Sequence, residues 1–351
     1  MINIGILGAG GITALSHLPV LVDIDEMKVT HICGRTEKRL KLLCDRFDIT
    51  RFSTQWDELL DDDTLDAVIV ALPHPLHAKA GLAVLERGLH LFMQKPLCTT
   101  MEEANQLVSA VEARPNQIVY CRPSINQSIY EMRRQIKDGT IGKVSGALAR
   151  HSHGGPEVYY AEVTDAFDEP RVEGDFWFYD PDAAAGGALI DMGVYSITSL
   201  VAVLGRVVNV TARMTTVDKP TPLEDTATLI LEFESGVLGT AETSWCDPAR
   251  SSLLRVHGTE GKLIQDGDHI QWVRPSSTDR ERAEPIIEQL SPVPVPNQHA
   301  EWLTCIKNGT QPELSNIWTA RHVTEIMLAA IESNTEGRRI AIQSSPTRLI
   351  V

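Results

Sequence analysis

The apolar run Ile2-Asn3-Ile4-Gly5-Ile6-Leu7 passes directly into Gly8-Ala9-Gly10-Gly11-Ile12-Thr13. A strand that ends on a glycine turn and opens a helix is the context a dinucleotide fingerprint needs. Gly8 permits the tight turn and Gly10 a close approach of backbone to pyrophosphate. Gly11 and Ile12 begin the helix whose N-terminus receives the phosphate charge. Thr13 stands where a third glycine or alanine is usual, which predicts a slightly wider spacing between helix and strand.

The same rhythm continues through the first third of the chain. Strands are expected at 28 to 33, 66 to 72, 89 to 93 and 117 to 121, with helices from about 11 and 36, through 83 to 85, and at 101 to 113. Strands that are apolar throughout are buried on both faces, the mark of a parallel sheet covered by helices. Residues 1–121 therefore read as an α/β, doubly wound Rossmann domain. After a helix at 126 to 138 the pattern changes to longer alternating runs at 142 to 151, 206 to 217, 225 to 234, 237 to 246, 252 to 257 and 269 to 273. Helices near 297 to 307 and 316 to 333 and a short strand at 339 to 342 close this part. Residues 122–351 read as an α+β domain with an open, mostly antiparallel sheet.

Composition excludes several partners. A net charge of -15 repels phosphate backbones and anionic lipid, so neither nucleic acid nor membrane is expected. The six cysteines are scattered without a CxxC pair, which points to reduced thiols, and no cluster suggests a metal. The N-terminus lacks the basic and long apolar regions of a signal peptide, and no apolar run approaches the ~20 residues of a membrane span, so the expected location is cytoplasmic.

The end of the second strand reads His31-Ile32-Cys33-Gly34-Arg35-Thr36. An NAD site usually places an acid there to bind the ribose 2′-hydroxyl. Arg35 instead, aided by Thr36 and by Lys38 or Arg39, suits a 2′-phosphate or stacks on adenine. A solvated basic helix start accounts for the same residues. The cofactor reads as NAD or NADP, leaning to NADP.

Gln94-Lys95-Pro96, Pro73-His74-Pro75-Leu76-His77 and Gly186-Gly187-Ala188-Leu189-Ile190-Asp191-Met192-Gly193-Val194-Tyr195 together resemble the Gfo/Idh/MocA oxidoreductase family almost end to end. The resemblance implies a Rossmann domain, a second domain with an open sheet and catalysis in the cleft between them. It also implies cofactor contacts at Pro73, His74, His77 and Lys95. Gln94 departs from the usual glutamate, and Tyr195 resembles the branch that carries tyrosine where inositol dehydrogenases carry histidine. Glucose-fructose oxidoreductase and dihydrodiol dehydrogenase are in that branch. Arg122 is followed by Pro123-Ser124, so the family's substrate contacts there do not carry over.

Hydride transfer from a carbinol needs a base for the hydroxyl proton and a cation or donor for the developing alkoxide. A phenol is a poor base at neutral pH unless an ammonium favours its phenolate, which makes Lys95 and Tyr195 a proton-transfer pair. If 188 to 203 is helical, Asp191 and Tyr195 lie at i and i+4, and Asp191 can bind an adjacent hydroxyl or orient Lys95. Trp177 is an aromatic candidate for the sugar, although such a residue is as often core. His151 and His153 end the first long strand of the second domain, and His153 is the substrate candidate. The expected function is an NAD(P)-dependent oxidoreductase acting on a sugar, polyol or sugar derivative. A redox-neutral NAD-dependent glycosidase and a non-catalytic NAD(P)-sensing regulator are the alternatives. The exposed face of an alternating sheet predicts a homodimer or homotetramer.

Overall fold

The computed structural model describes residues 1–169, 176–277 and 283–347. It divides into two compact units. One comprises Met1–Ser124, Pro156–Ala185 and Pro296–Arg321; the other comprises Ile125–Gly155, Gly186–Val295 and His322–Val351. The sequence reading draws a single boundary after residue 121, whereas the chain returns to the first unit twice.

In the first unit six parallel strands run in the order β3-β2-β1-β4-β5-β6. They are β1 Ile2–Leu7, β2 Met27–Cys33, β3 Arg51–Ser53, β4 Ala67–Val70, β5 His90–Met93 and β6 Val119–Cys121. Alternate side chains feed two cores. Leu7, Val68, Val70, Leu91 and Met93 face one side; Ile4, Ile6, Ala67, Ile69 and Phe92 face the other. Both faces are therefore dry, and truncating one such residue to alanine costs about 2–5 kcal/mol. The returning segments belong to these cores. Val163 and Phe167 of helix Pro156–Phe167 and Trp302 of helix Gln298–Asn308 join the second core, while Ile317 joins the first. The helix Pro156–Phe167 and the three-residue β3 were not expected from the sequence.

The strand order turns back between β1 and β4, so their carboxyl ends open the crevice where doubly wound folds bind ligands. The helix that follows β1 starts with a π-turn, Thr13–His17, and continues as Leu18–Leu21.

The second unit holds a nine-stranded sheet. Its strands are β7 Val144–Ser152, β8 Val207–Thr215, β9 Thr226–Phe233, β10 Leu238–Ser244, β11 Ser251–Gly258, β12 Gly261–Asp266, β13 His269–Pro275, β14 Pro285–Leu290 and β15 Ile340–Ala341. They run in the order β14-β13-β12-β11-β7-β10-β9-β8-β15. β7 and β10 pair in parallel and the remaining pairs are antiparallel. The mostly antiparallel expectation holds, with β12 and β14 added. In β9, Ala227, Leu229, Leu231 and Phe233 are buried while Thr228 and Ile230 are exposed, so one face is covered and the other presents side chains outward.

Helix Val194–Leu204 packs on β7 and β10, and is apolar nearly all round because it is buried nearly all round. Contrary to the sequence expectation, the stretch Pro181–Leu204 is long and apolar enough to cross a membrane by length and composition, yet 83% of its most apolar 18-residue part is buried.

Candidate cofactor and substrate site

Gly8 sits at φ 118°, and its amide donates to the Cys33 carbonyl at 2.8 Å. An added Cβ would stand 2.1 Å from the Ala71 carbonyl oxygen, so a side chain is excluded on two grounds. At Gly11 the crowding comes from elsewhere in the sequence: a Cβ would meet Val163 Cγ2 at 2.2 Å and the Tyr159 hydroxyl at 2.7 Å. Thr13 is fully buried, and its hydroxyl donates to the Gly8 carbonyl at 2.5 Å. The threonine in the third-glycine position thus ties helix to turn at the start of the π-turn.

These residues line a cavity of about 340 Å³. Gly8, Gly10, Gly11, Ile12, Arg35, Thr36 and Pro73 contribute to its wall, as do Tyr159, Tyr160, Val163 and Trp177. The cavity fits a dinucleotide: the glycine turn lines it, and Gly10 has open space where a side chain would stand. Trp177, read from sequence as a substrate residue, is placed on this nucleotide cavity. It stacks on Phe178 with ring centroids 3.9 Å apart.

Arg35 and Thr36 are exposed at the end of β2. Arg39 is already engaged. Its Nε donates to Glu169 Oε1 at 2.8 Å, a second nitrogen reaches Glu169 Oε2, and the guanidinium lies 4.5 Å over the Phe167 ring. The expected support of Arg35 by Arg39 is therefore corrected, because a carboxylate holds that cation.

His74 is buried, with Nδ1 on the Ala184 carbonyl at 3.0 Å and its ring edge-on to Trp177. His77 bridges two loop carbonyls, Pro96 at 2.6 Å and Leu72 at 2.7 Å. Burial pushes the His77 pKa down, against the pull of those carbonyls.

Lys95 is half-buried behind β5, and its amide donates to Gln94 Oε1 at 3.2 Å. That contact orients the Gln94 amide, whose nitrogen then donates to His17 Nε2 at 2.8 Å. His17 must carry its proton on Nδ1, and Nδ1 lies 2.9 Å from His299 Nε2. The result is a directed, neutral chain beneath Lys95. Burial holds His17 well below its ordinary pKa, with His299 and Arg122 adding to the effect. In this chain a carboxamide at residue 94 is consistent with an uncharged imidazole.

In the second unit the glycine segment opens a continuous helix, with a π-turn at Leu189–Gly193 followed by Val194–Leu204. The Glu224 carboxylate accepts from the amides of Gly187 at 3.1 Å and Leu189 at 3.0 Å, satisfying donors at the helix start. Burial raises the Glu224 pKa while those amides oppose it.

Asp191 lies in the π-turn. The Trp245 indole donates to Asp191 Oδ2 at 3.0 Å, and His153 Nε2 lies 3.5 Å from the same oxygen. His153 Nδ1 accepts from the Gly155 amide at 2.8 Å, so its proton resides on Nε2, facing the carboxylate. Tyr195 follows one turn later and stacks on His151 at a centroid distance of 5.7 Å. Burial pushes the His151 pKa down to about 4, so this stacking partner is neutral near pH 7.

Sequence reasoning missed Tyr159, Val163, Glu169, Glu224 and Trp245. A signal existed for Trp245, since a tryptophan closing an alternating strand needs a partner for its N–H when buried. For the others the signal is tertiary.

Two family models match the chain. One, described as an oxidoreductase family with NAD-binding Rossmann fold, spans residues 2–121. The other, described as the GFO/IDH/MocA C-terminal domain, spans residues 129–264. D-xylose 1-dehydrogenase (NADP(+)) 2 of Haloferax volcanii is 29% identical over 259 residues, 74% of either chain. D-apiose dehydrogenase of Paraburkholderia graminis is 25% identical over 358 aligned positions, covering 97% of this chain and 90% of its own. A solved structure of levoglucosan dehydrogenase in complex with NADH and levoglucosan matches in fold, with a TM-score of 0.79 at 19% identity, covering 97% of this chain and 99% of that one.

Proposed function

The chain belongs to the Gfo/Idh/MocA oxidoreductase family, and on that premise we propose that it is an NAD(P)-dependent dehydrogenase or reductase acting on one carbinol carbon of a free sugar, polyol or sugar derivative. The observation that carries the reading is the cavity built on the Gly8 turn at the carboxyl ends of β1, β2 and β4, which fits a dinucleotide. The names of the curated relatives, both pentose dehydrogenases, support a carbohydrate-like substrate.

When bound, the nicotinamide supplies or accepts the hydride. Gly8 permits the turn, and Gly10 with the helix start that follows it would hold the pyrophosphate by backbone amides and the helix dipole. Tyr195 takes the hydroxyl proton as hydride leaves, and returns it in the reverse direction. Lys95 supplies the ammonium that favours the phenolate and steadies the alkoxide. Asp191, held by Trp245, accepts a hydrogen bond from a neighbouring substrate hydroxyl. Such a hydrogen bond lets the site reject analogues lacking that hydroxyl.

A panel of aldoses, polyols and glycosides, each with NAD and NADP and read at the nicotinamide absorbance, tests the proposal. Net cofactor reduction or oxidation on at least one sugar or polyol is expected. Aglycone release without net absorbance change would replace it with the redox-neutral glycosidase reading, and cofactor binding without turnover on any substrate with the regulator reading.

A further inference from the structure

Arg39 lies in the first turn of helix Glu37–Phe47, in the wall of the nucleotide cavity beside Arg35 and Thr36. From the end of the second strand of a dinucleotide fold, a cation is in reach of the adenosine ribose, where NADP carries its extra phosphate. The Arg39 guanidinium is instead committed to Glu169 through both prongs of its fork.

The carboxylate is well placed to keep it. The Glu169 amide donates to the Thr164 carbonyl at 2.9 Å, which ties the backbone of Glu169 to the end of helix Pro156–Phe167. The Arg39 and Glu169 side chains are 28% and 21% exposed, so solvent screens the pair less than a fully exposed one. Phe167 covers one face of the guanidinium. The Arg39 hydrogen bonds hold the Glu169 carboxyl below its usual range, with its charge intact near pH 7.

We propose that Glu169 is a cofactor-specificity residue that restrains binding of the 2′-phosphate. By gripping Arg39 it withholds a second cation from the phosphate. A 2′-phosphate that recruited Arg39 would have to break a bidentate pair. The 2′-hydroxyl of NAD does not meet that cost. Arg35 then remains as the cation for the phosphate, and the site favours NAD more than its basic sequence suggests. The inference rests on reading the cavity as the dinucleotide site.

Calorimetric titration of NAD and NADP into wild type, Glu169→Gln, Arg39→Ala and the double variant tests it. Glu169→Gln is expected to raise NADP affinity about tenfold while NAD affinity stays within about twofold, the size of one recovered charge-assisted contact. Arg39→Ala alone should leave the ratio of the two affinities within about twofold, because Arg39 does not serve the phosphate in the wild type. The gain from Glu169→Gln should vanish in the double variant. An unchanged ratio in Glu169→Gln with NAD binding intact would overturn the proposal. So would a selective loss of NADP affinity in Arg39→Ala, or a gain that survives in the double variant. If Glu169→Gln fails to fold, Glu169→Ala carries the same expectation and the same overturning result. Wild type that binds neither cofactor would instead sink the reading of the cavity.

Discussion

Trp245 and Asp191, 54 positions apart in sequence, meet in the core of the second unit, where the indole N–H donates to Asp191 Oδ2 at 3.0 Å. Trp245 is fully buried, so this donor can be removed without opening a surface. Trp245→Phe should leave cofactor affinity intact, because the glycine turn lies in the other unit. Losing a hydrogen bond to a charged group, typically about 1.5–3 kcal/mol, should lower kcat/KM by roughly 10- to 150-fold. Steady-state kinetics on any accepted sugar checks this. Unchanged kcat/KM would reduce Trp245 to a core filler.

Arg35 occupies the place of the acid expected at the end of β2 and is exposed there. Arg35→Ala should therefore weaken NADP more than NAD. Paired binding titrations measure the ratio, and an unchanged preference would remove Arg35 from adenosine-phosphate recognition.

Much of this frame was legible because it follows from periodicity. The fully apolar β4 and the apolar run Leu91–Met93 of β5 fit a parallel sheet buried on both faces. Gly8 is dictated by its turn, where Ala71 leaves no room for a side chain. Other features depend on distant partners. Arg39 and Glu169 are 130 residues apart, so from sequence Arg39 looked like a free cation. Tyr159 and Val163 cover Gly11 from a helix that the sequence pattern did not separate from its surroundings. β14 is a short strand that begins at Pro285, a residue that speaks against a central strand, and it forms one edge of the sheet.

Buried histidines set an acid limit on stability. Burial holds His299 at about 3 and His151 at about 4, against an ordinary value of 6.5. The unfolded chain binds these protons first, so both groups leave stability untouched above pH 6.5 and erode it below. Each adds a slope of up to about 1.4 kcal/mol per pH unit between its unfolded and folded values. The depressed carboxyl of Asp225, held at about 2 by three backbone amides against the effect of burial, acts only at lower pH. Urea midpoints should stay level from pH 8 to 7 and fall from pH 6.5 to 5, less steeply in His299→Gln. A flat profile across pH 5 to 7 would contradict the neutral assignment of these rings.

The outward face of β9 and β10 carries Ile230 and Leu238, 49% and 56% exposed. A homo-oligomer that covers this face is predicted, at least a dimer. Light scattering at micromolar concentration should give a multiple of 38.7 kDa, and Ile230→Lys should shift the mass toward the monomer. A monomeric wild type would refute the assembly.

Single-turnover kinetics of Tyr195→Phe, with cofactor bound and circular dichroism unchanged, most directly tests the proposed proton transfer. Removing a positioned general base should slow the chemical step by about 100- to 10,000-fold while cofactor affinity stays near wild type. Lys95→Ala should cost a similar factor, and the double variant should be scarcely worse than either single, because both residues serve one proton transfer. A folded, cofactor-bound Tyr195→Phe that turns over at close to the wild-type rate would contradict the account and pass the acid/base role to Asp191 or His153.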